Sequence, residues 1–292
     1  MAIFVQLLMA GIATGAIYAL IAVGFALLWQ TSGTINFAQG EFVMVPGFII
    51  LGLMAYFEIG LIPAFIITLP ITIFFFGYLF KRLLVEPLIK YGDFPLVIAT
   101  IGLGILLKEG TKLVAGANGL SFPEVIPDQI LRFASIRVST ADLAMLAIAA
   151  LIITALQLFL NRSFVGRSMQ ASAQNADVAR ILGINVDRMI LNTFLINAAL
   201  VTVAALLITP GYLAKFSNGE TLGLLAFMAA IVGGFNQVRG ALFGGFLIGI
   251  LENLGAFYIS SDYRTAFPII LLILVILFKP EGLFGRPEER RI

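Results

Sequence analysis

The 292 residues are 60% hydrophobic and only 12% charged, with a net charge of +2, whereas an average soluble domain is about 25% charged. That excludes an ordinary water-soluble globular protein. The absence of Cys and His removes disulfide, zinc-thiolate, iron–sulfur and imidazole proton-relay chemistry, and long apolar runs in place of short alternating strands exclude an outer-membrane barrel.

The first apolar run, 4–29, is long enough to cross a bilayer. It lacks the basic n-region and small-residue cleavage site of a signal peptide, so it is kept as structure. No charged side chain occurs from Met1 to Gly40, yet 31–40 reads TSGTINFAQG. Polar backbone and amides at membrane depth need protein or a water-filled cavity around them. The segment is therefore expected to form part of a pathway wall, with Asn36, Gln39 and Glu41 as candidate translocation residues. The plainer alternative is local: Glu41 favours the first turn of a helix over 41–57 through the helix dipole, and the amides satisfy a turn.

Further apolar runs cover 41–57, 60–80, 94–116, 141–160, 189–209, 222–236, 240–257 and 265–279. The fold class is an all-α polytopic membrane protein with about eight to ten membrane-embedded helices, read as one transmembrane domain over 1–292. Two stretches, 94–107 ahead of Lys108 and Glu109 and 222–235, fall short of the roughly 20 residues of a straight crossing. They are expected to be broken or re-entrant. Glu252 and Asn253, inside 240–257, are a further polar pair at membrane depth and join the candidate pathway residues. Glycines at 11, 15, 24, 233, 234, 240, 244, 245 and 249 read first as close helix packing. A weak echo between 22–42 and 231–246 is compatible with the internal repeats of transporters.

Basic residues form three groups: Lys81, Arg82 and Lys90; Arg162, Arg167, Arg180 and Arg188; Lys279, Arg286, Arg290 and Arg291. The positive-inside rule puts all three, and the C-terminus, in the cytoplasm. In 117–140 the acids Glu124 and Asp128 cancel Arg132 and Arg137, so this loop is expected outside, together with Lys215.

The longest polar stretch on the expected inside is 161–188. Asn175 suits an N-cap, Asp177 the first turn, Arg180 the last turn and Gly183 the left-handed position beyond it, which predicts a helix of about two turns. Ser168 is placed as the cap of a shorter turn over 169–173. So short a helix is marginal alone. It is expected to dock on another subunit through the small face of Ala171, Ala173, Ala176 and Ala179, the alternative being a linker lying on its own protein.

Asp177 to Gly183 reads DVARILG and resembles the coupling segment of ABC importer permeases, with Asp for the usual Glu and Val for the first Ala. GAIYALIAVG (15–24), INFAQGE (35–41), GRSMQA (166–171), VGG (232–234), GALFGG (240–245) and FKPEGLFG (278–285) occur in that order. Together they resemble the LivH-type permease of branched-chain amino acid ABC transporters along nearly the whole chain. Two departures concern the expected pathway: Gln39 stands where that family usually has His, and Met44-Val-Pro-Gly replaces the more usual Met-x-Gly-Ala.

The resemblance implies a multi-pass subunit of the bacterial inner membrane, embedded in the lipid bilayer and assembled with a LivM-like second permease, two ABC ATPase subunits and a periplasmic substrate-binding protein. Gln174, Asn175, Asp177, Ala179, Arg180 and Gly183 would couple to an ATPase. No G-x-x-x-x-G-K-[ST] occurs in the chain, so no Walker A phosphate loop is available. ATP and Mg are expected on the partners, with no cofactor, metal site, catalytic residue or nucleic-acid partner in this chain. Leucine, isoleucine and valine are the implied cargo, and urea, short amides or other small acids the alternative within the class. A different class, an ion-coupled secondary transporter, would use Glu252 or Glu41 as a buried ion ligand. An intramembrane enzyme lacks a constellation to work with.

Overall fold

The computed structural model describes residues 2–133 and 136–285. Arg286, Arg290 and Arg291 of the third basic group lie outside the described residues. Helix α1 (Ala2–Ser32) runs three residues past Trp29 before it stops. The Thr31 and Ser32 hydroxyls donate back to the carbonyls of Leu27 and Leu28 at 2.9 and 2.7 Å, so these polar side chains are satisfied within the helix. Gly33, at φ +64°, takes the left-handed position that ends it.

Helix α2 (Gln39–Phe57) begins at Gln39, two residues before the expected start. Helix α3 (Leu61–Ile89) is 29 residues long and contains two π-helical stretches, Ile73–Leu79 and Lys81–Val85. They follow Pro70, which has no N–H to give to the ladder. The Thr72 hydroxyl bonds the carbonyls of Thr68 and Leu69 at 3.0 and 2.9 Å just before the widening.

Helix α4 (Asp93–Ala115) passes without interruption through Lys108 and Glu109. Both charges have partners, Glu220 at 2.6 Å and Lys112 at 3.4 Å, and Lys and Glu are good helix formers. The apolar run stops at 107; the helix does not. After α4 the chain forms a two-stranded antiparallel hairpin, β1 (Ile130–Phe133) with β2 (Ile136–Ser139), which the polar composition of this loop did not announce.

Then come α5 (Thr140–Arg162), α6 (Phe164–Gln174), α7 (Ala176–Ile181) and α8 (Val186–Tyr212), followed by α9 (Asn218–Gly233), α10 (Val238–Tyr258) and α11 (Ala266–Phe278). Among the described residues eight helices are long and apolar enough to cross a membrane, counting α11 with the 3₁₀ turn that precedes it. The ninth apolar helix, α9, has 16 residues, about 24 Å of helix against a hydrocarbon core of about 30 Å.

Two compact units emerge, 1–26 with 126–151 and 224–292, and 27–125 with 152–223. In the first, α1 and α10 meet through glycines on both helices. A Cβ at Gly11 would lie 2.8 Å from Ile250 Cα, and one at Gly15 2.8 Å from Phe246 Cα. Gly245 and Gly249 lie against Ala19 and Gly15 in return. Phe25, Phe227 and Phe235 form an aromatic cluster with centroids 5.6–6.2 Å apart.

In the second unit, α2, α3 and α8 share an aromatic core. Phe42 stacks on Phe76 at 4.2 Å and meets Phe80 edge-on at 5.0 Å, and Phe80 lies 5.8 Å from Phe194. Ile50, Ala64, Phe122 and Leu206 form a further buried cluster.

Candidate translocation site

Where α1 gives way to α2, the three polar side chains singled out in the sequence are internal, while Gly33 and Phe37 are exposed. Asn36 is 2% exposed, Gln39 0% and Glu41 5%. The Asn36 side-chain oxygen accepts from the Ala38 N–H at 3.0 Å, an Asx turn that starts α2. The Phe37 N–H donates to Thr100 Oγ1 of α4 at 3.3 Å.

Gln39 and Asn197 of α8 form a reciprocal amide pair. Gln39 Nε2 donates to Asn197 Oδ1 at 2.7 Å, Asn197 Nδ2 donates to Gln39 Oε1 at 3.0 Å, and Asn36 Nδ2 adds a third bond to that oxygen at 3.3 Å. Asn197 is itself buried. It lies eleven residues into α8, and Gly104, which packs on Glu41, lies eleven residues into α4. Both positions are about 17 Å along their helices, so the node sits near the middle of these spans.

Glu41 falls in the first turn of α2. Its carboxylate is held between two glycines: a Cβ at Gly104 would be 3.3 Å from Oε2 and one at Gly219 3.1 Å from Oε1. Gly219 belongs to the start of α9, which reads Asn218-Gly219-Glu220 where α2 reads Gln39-Gly40-Glu41. The two helix starts meet glycine to glycine, a Cβ at Gly223 lying 2.9 Å from Gly40 Cα. Beside them Lys108 Nζ pairs with Glu220 at 2.6 Å, Glu41 being a further negative charge near that lysine.

The chain reaches α9 through Leu213, at φ +59° and ψ 157°, a region occupied almost only by glycine. Ala214 and Leu120 exchange backbone hydrogen bonds at 2.9 and 3.0 Å. The loops after α4 and α8 therefore lie together.

Glu252 and Asn253 belong to the other unit and are not part of this node. Glu252, 3% exposed, pairs with Arg264 at 2.6 Å and lies beside the Tyr18 hydroxyl. Asn253 Nδ2 donates to the Gly249 carbonyl one turn back at 3.0 Å.

In 161–188, Asn175 caps α7 by accepting from the Asp177 and Val178 N–H groups, both at 3.1 Å, and Gly183 sits at φ +82°. Arg180 reaches Asp177 at 3.3 Å and Asp187 at 3.9 Å, and Gln174 ends α6. The cap upstream is Ser163, whose hydroxyl accepts from Gly166 N–H at 2.9 Å; Ser168 is buried inside α6. Ala179 is buried within the protein itself. The exposed apolar side chains of α7 and its C-cap are Val178, Ile181 and Leu182, at 48, 83 and 73% exposure, beside exposed Asp177 and Arg180.

Asn197, Lys108, Glu220 and Arg264 escaped the sequence reading. An amide midway along an apolar run is a signal for Asn197; the partners of the charges are set only by the fold.

Residues 7–276 match the family described as branched-chain amino acid transport system / permease component. The chain belongs to this family. It is 32% identical to the high-affinity branched-chain amino acid transport system permease protein LivH of Salmonella typhimurium, over 99% of this chain and 98% of that one. The corresponding protein BraD of Pseudomonas aeruginosa is 33% identical over the same shares. A probable branched-chain amino acid transport permease protein LivH of Methanocaldococcus jannaschii is 29% identical over 91% of this chain and 88% of its own. No solved structure matches. The permease is thus an all-α, multi-pass membrane protein of a transport family.

Proposed function

We propose that the permease is the LivH-like membrane subunit of a binding-protein-dependent ABC importer of the bacterial inner membrane, carrying branched-chain amino acids. Its partners are a LivM-like second permease, two ATPase subunits that hold ATP and Mg, and a periplasmic binding protein. The observation that carries this reading is likeness over 98–99% of both chains to proteins named as high-affinity branched-chain amino acid transport system permeases. The buried node in the middle of the spans supports a pathway role for Asn36, Gln39 and Glu41. Glu252 already has an internal counter-charge in Arg264, which speaks for a structural ion pair at that position; with Asn253 it is the outlying member of the proposed pathway set.

On this reading 161–188 faces the cytoplasm, as does the C-terminus, and α7 docks on an ATPase. Gln174, Asn175, Asp177, Ala179, Arg180 and Gly183 shape the docking helix, and exposed Val178, Ile181 and Leu182 make the apolar contact. The shared position of Leu120 and Ala214 supports a common external side for 117–140 and Lys215. The test is binding-protein-stimulated ATP hydrolysis in proteoliposomes. Gly183→Pro, which forbids the positive φ, and the Asp177→Lys/Arg180→Glu double reversal should abolish stimulation while complex yield is kept. Wild-type stimulation in both variants defeats the docking assignment.

A further inference from the structure

One turn beyond Glu41 on α2, and one turn beyond Gly104 on α4, the two helices part and leave an apolar groove of about 860 Å³. That volume lies in the range of about 300–1,000 Å³ typical of small-molecule sites. Val45, Phe48 and Gly52 line it from α2, and Leu107, Gly110 and Thr111 from α4. A Cβ at Gly52 or Gly110 would meet no atom within 4 Å. Unlike the glycines that bring α1 and α10 together, these two leave space.

The lining itself carries no charge; the charged side chains lie one helical turn inward of it along α2 and α4, where Glu41 packs on Gly104. Glu41 is 5% exposed, and no Lys or Arg among the described residues lies within 4 Å of its carboxylate. Lys108, adjacent to Leu107, is held by Glu220, whose side chain is 61% exposed. The chain's own packing therefore does not enclose this pair. Two carboxylates and one ammonium thus lie where the starts of α2 and α9 meet, one helical turn from the apolar groove.

We propose that this cluster and groove form a binding site for a zwitterionic α-amino acid with an apolar side chain. Glu41 and Glu220 receive the ammonium group, Lys108 exchanges Glu220 for the carboxylate, and the groove between α2 and α4 takes the side chain. Helix N-termini that meet near the middle of the spans suit such a ligand, because the dipoles favour its anionic group while the acids hold its cationic one. The site rests on the importer reading and states where in this chain the cargo is held.

The test uses the complete complex, reconstituted with binding protein and ATPases, with Thr111→Cys as a single thiol in a chain that has none. The probes are leucine, 4-methylpentanoate (no ammonium) and alanine (no bulky side chain). Leucine is expected to slow labelling by a small maleimide about fivefold or more, the other two less than about twofold. Gly110→Val, which fills the groove without a clash, should lower leucine transport about tenfold and alanine transport less than about twofold, with ATP hydrolysis still stimulated. A thiol that leucine does not protect, a thiol that never reacts, or equal loss of both substrates in Gly110→Val overturns the site. An unsubstituted complex whose ATP hydrolysis ignores the binding protein overturns the importer reading itself, and the site with it.

Discussion

The two units of the permease solve the same problem, holding helices together where apolar burial gives no net drive, with different chemistry. In the unit built on α1 and α10, backbone meets backbone across Gly11, Gly15, Gly245 and Gly249, and the gain is dispersion over close surfaces. In the unit built on α2, α3, α4 and α8, side-chain pairs make joints beside the backbone contact of Gly40 with Gly219 and Gly223. The side-chain pairs are the Gln39–Asn197 amides, the Thr72–Thr202 hydroxyl contact at 2.7 Å, the Lys108–Glu220 ion pair and the Phe42–Phe76 stack. The same unit carries two π-helical stretches and a spacious groove. Backbone contact has one good geometry, whereas paired side chains can separate and re-pair. The joints able to re-pair are therefore concentrated in the second unit.

The sharpest break falls in the first unit. Gly15→Leu sets a side chain against the backbone of Phe246, where nothing can yield. It should cost about 3 kcal/mol or more and remove most folded protein, measured as detergent-stable yield by size exclusion. The same glycine in open space gives the opposite sign. Gly102, on α4, has no atom within 4 Å of a built Cβ, so Gly102→Ala should stabilise by roughly 0.5–1 kcal/mol in thermal unfolding. Equal loss in both variants would mean that glycine content, not contact, distinguishes the two units.

These contrasts also mark how far the sequence could be read. Runs of apolar residues locate every span, because a helix of that length exposes its composition directly. The Asn175 cap and Gly183 terminator are local chemistry and are readable for the same reason. The continuation of α4 past 107 was not, since Lys108 is stabilised by Glu220, 112 positions away. The Gln39–Asn197 pair spans 158 positions, and from the sequence each amide has many possible partners. Alanines in 171–179 suggested an outward face by their size. The fold turns Ala179 inward, because small residues serve intramolecular contacts equally well.

An intermediate effect is expected where the second unit's joint is cut. Gln39→Ala or Asn197→Ala leaves a buried amide without its partner, which costs about 1–3 kcal/mol in soluble proteins. Interhelical bonds within membranes are worth less, averaging about 0.6 and reaching about 1.7 kcal/mol. Two reciprocal bonds therefore argue for about 1–2 kcal/mol for either variant. The double variant should cost little more than one alone, since the joint is lost once. Strict additivity in chemical unfolding would show that the two amides do not act as a unit.

The smallest change asked of the molecule is Gln39→His, which keeps the joint but makes it titratable. A neutral imidazole has one donor and one acceptor nitrogen, so it can accept from Asn197 Nδ2 or donate to Asn197 Oδ1. The protonated ring only donates: Asn197 Oδ1 can still accept from it, but Asn197 Nδ2 and Asn36 Nδ2 lose the acceptor that Gln39 Oε1 provides. Uptake by the variant should therefore match wild type above about pH 7.5 and fall as pH drops through about 6–7. The unsubstituted chain, which contains no His, should show no such step from this position. The measurement is initial leucine uptake in proteoliposomes at fixed ATP, with complex yield compared at each pH. A pH-independent variant would mean that the amide joint stays closed during transport, and that the second unit, for all its polar joints, moves as rigidly as the glycine-packed one.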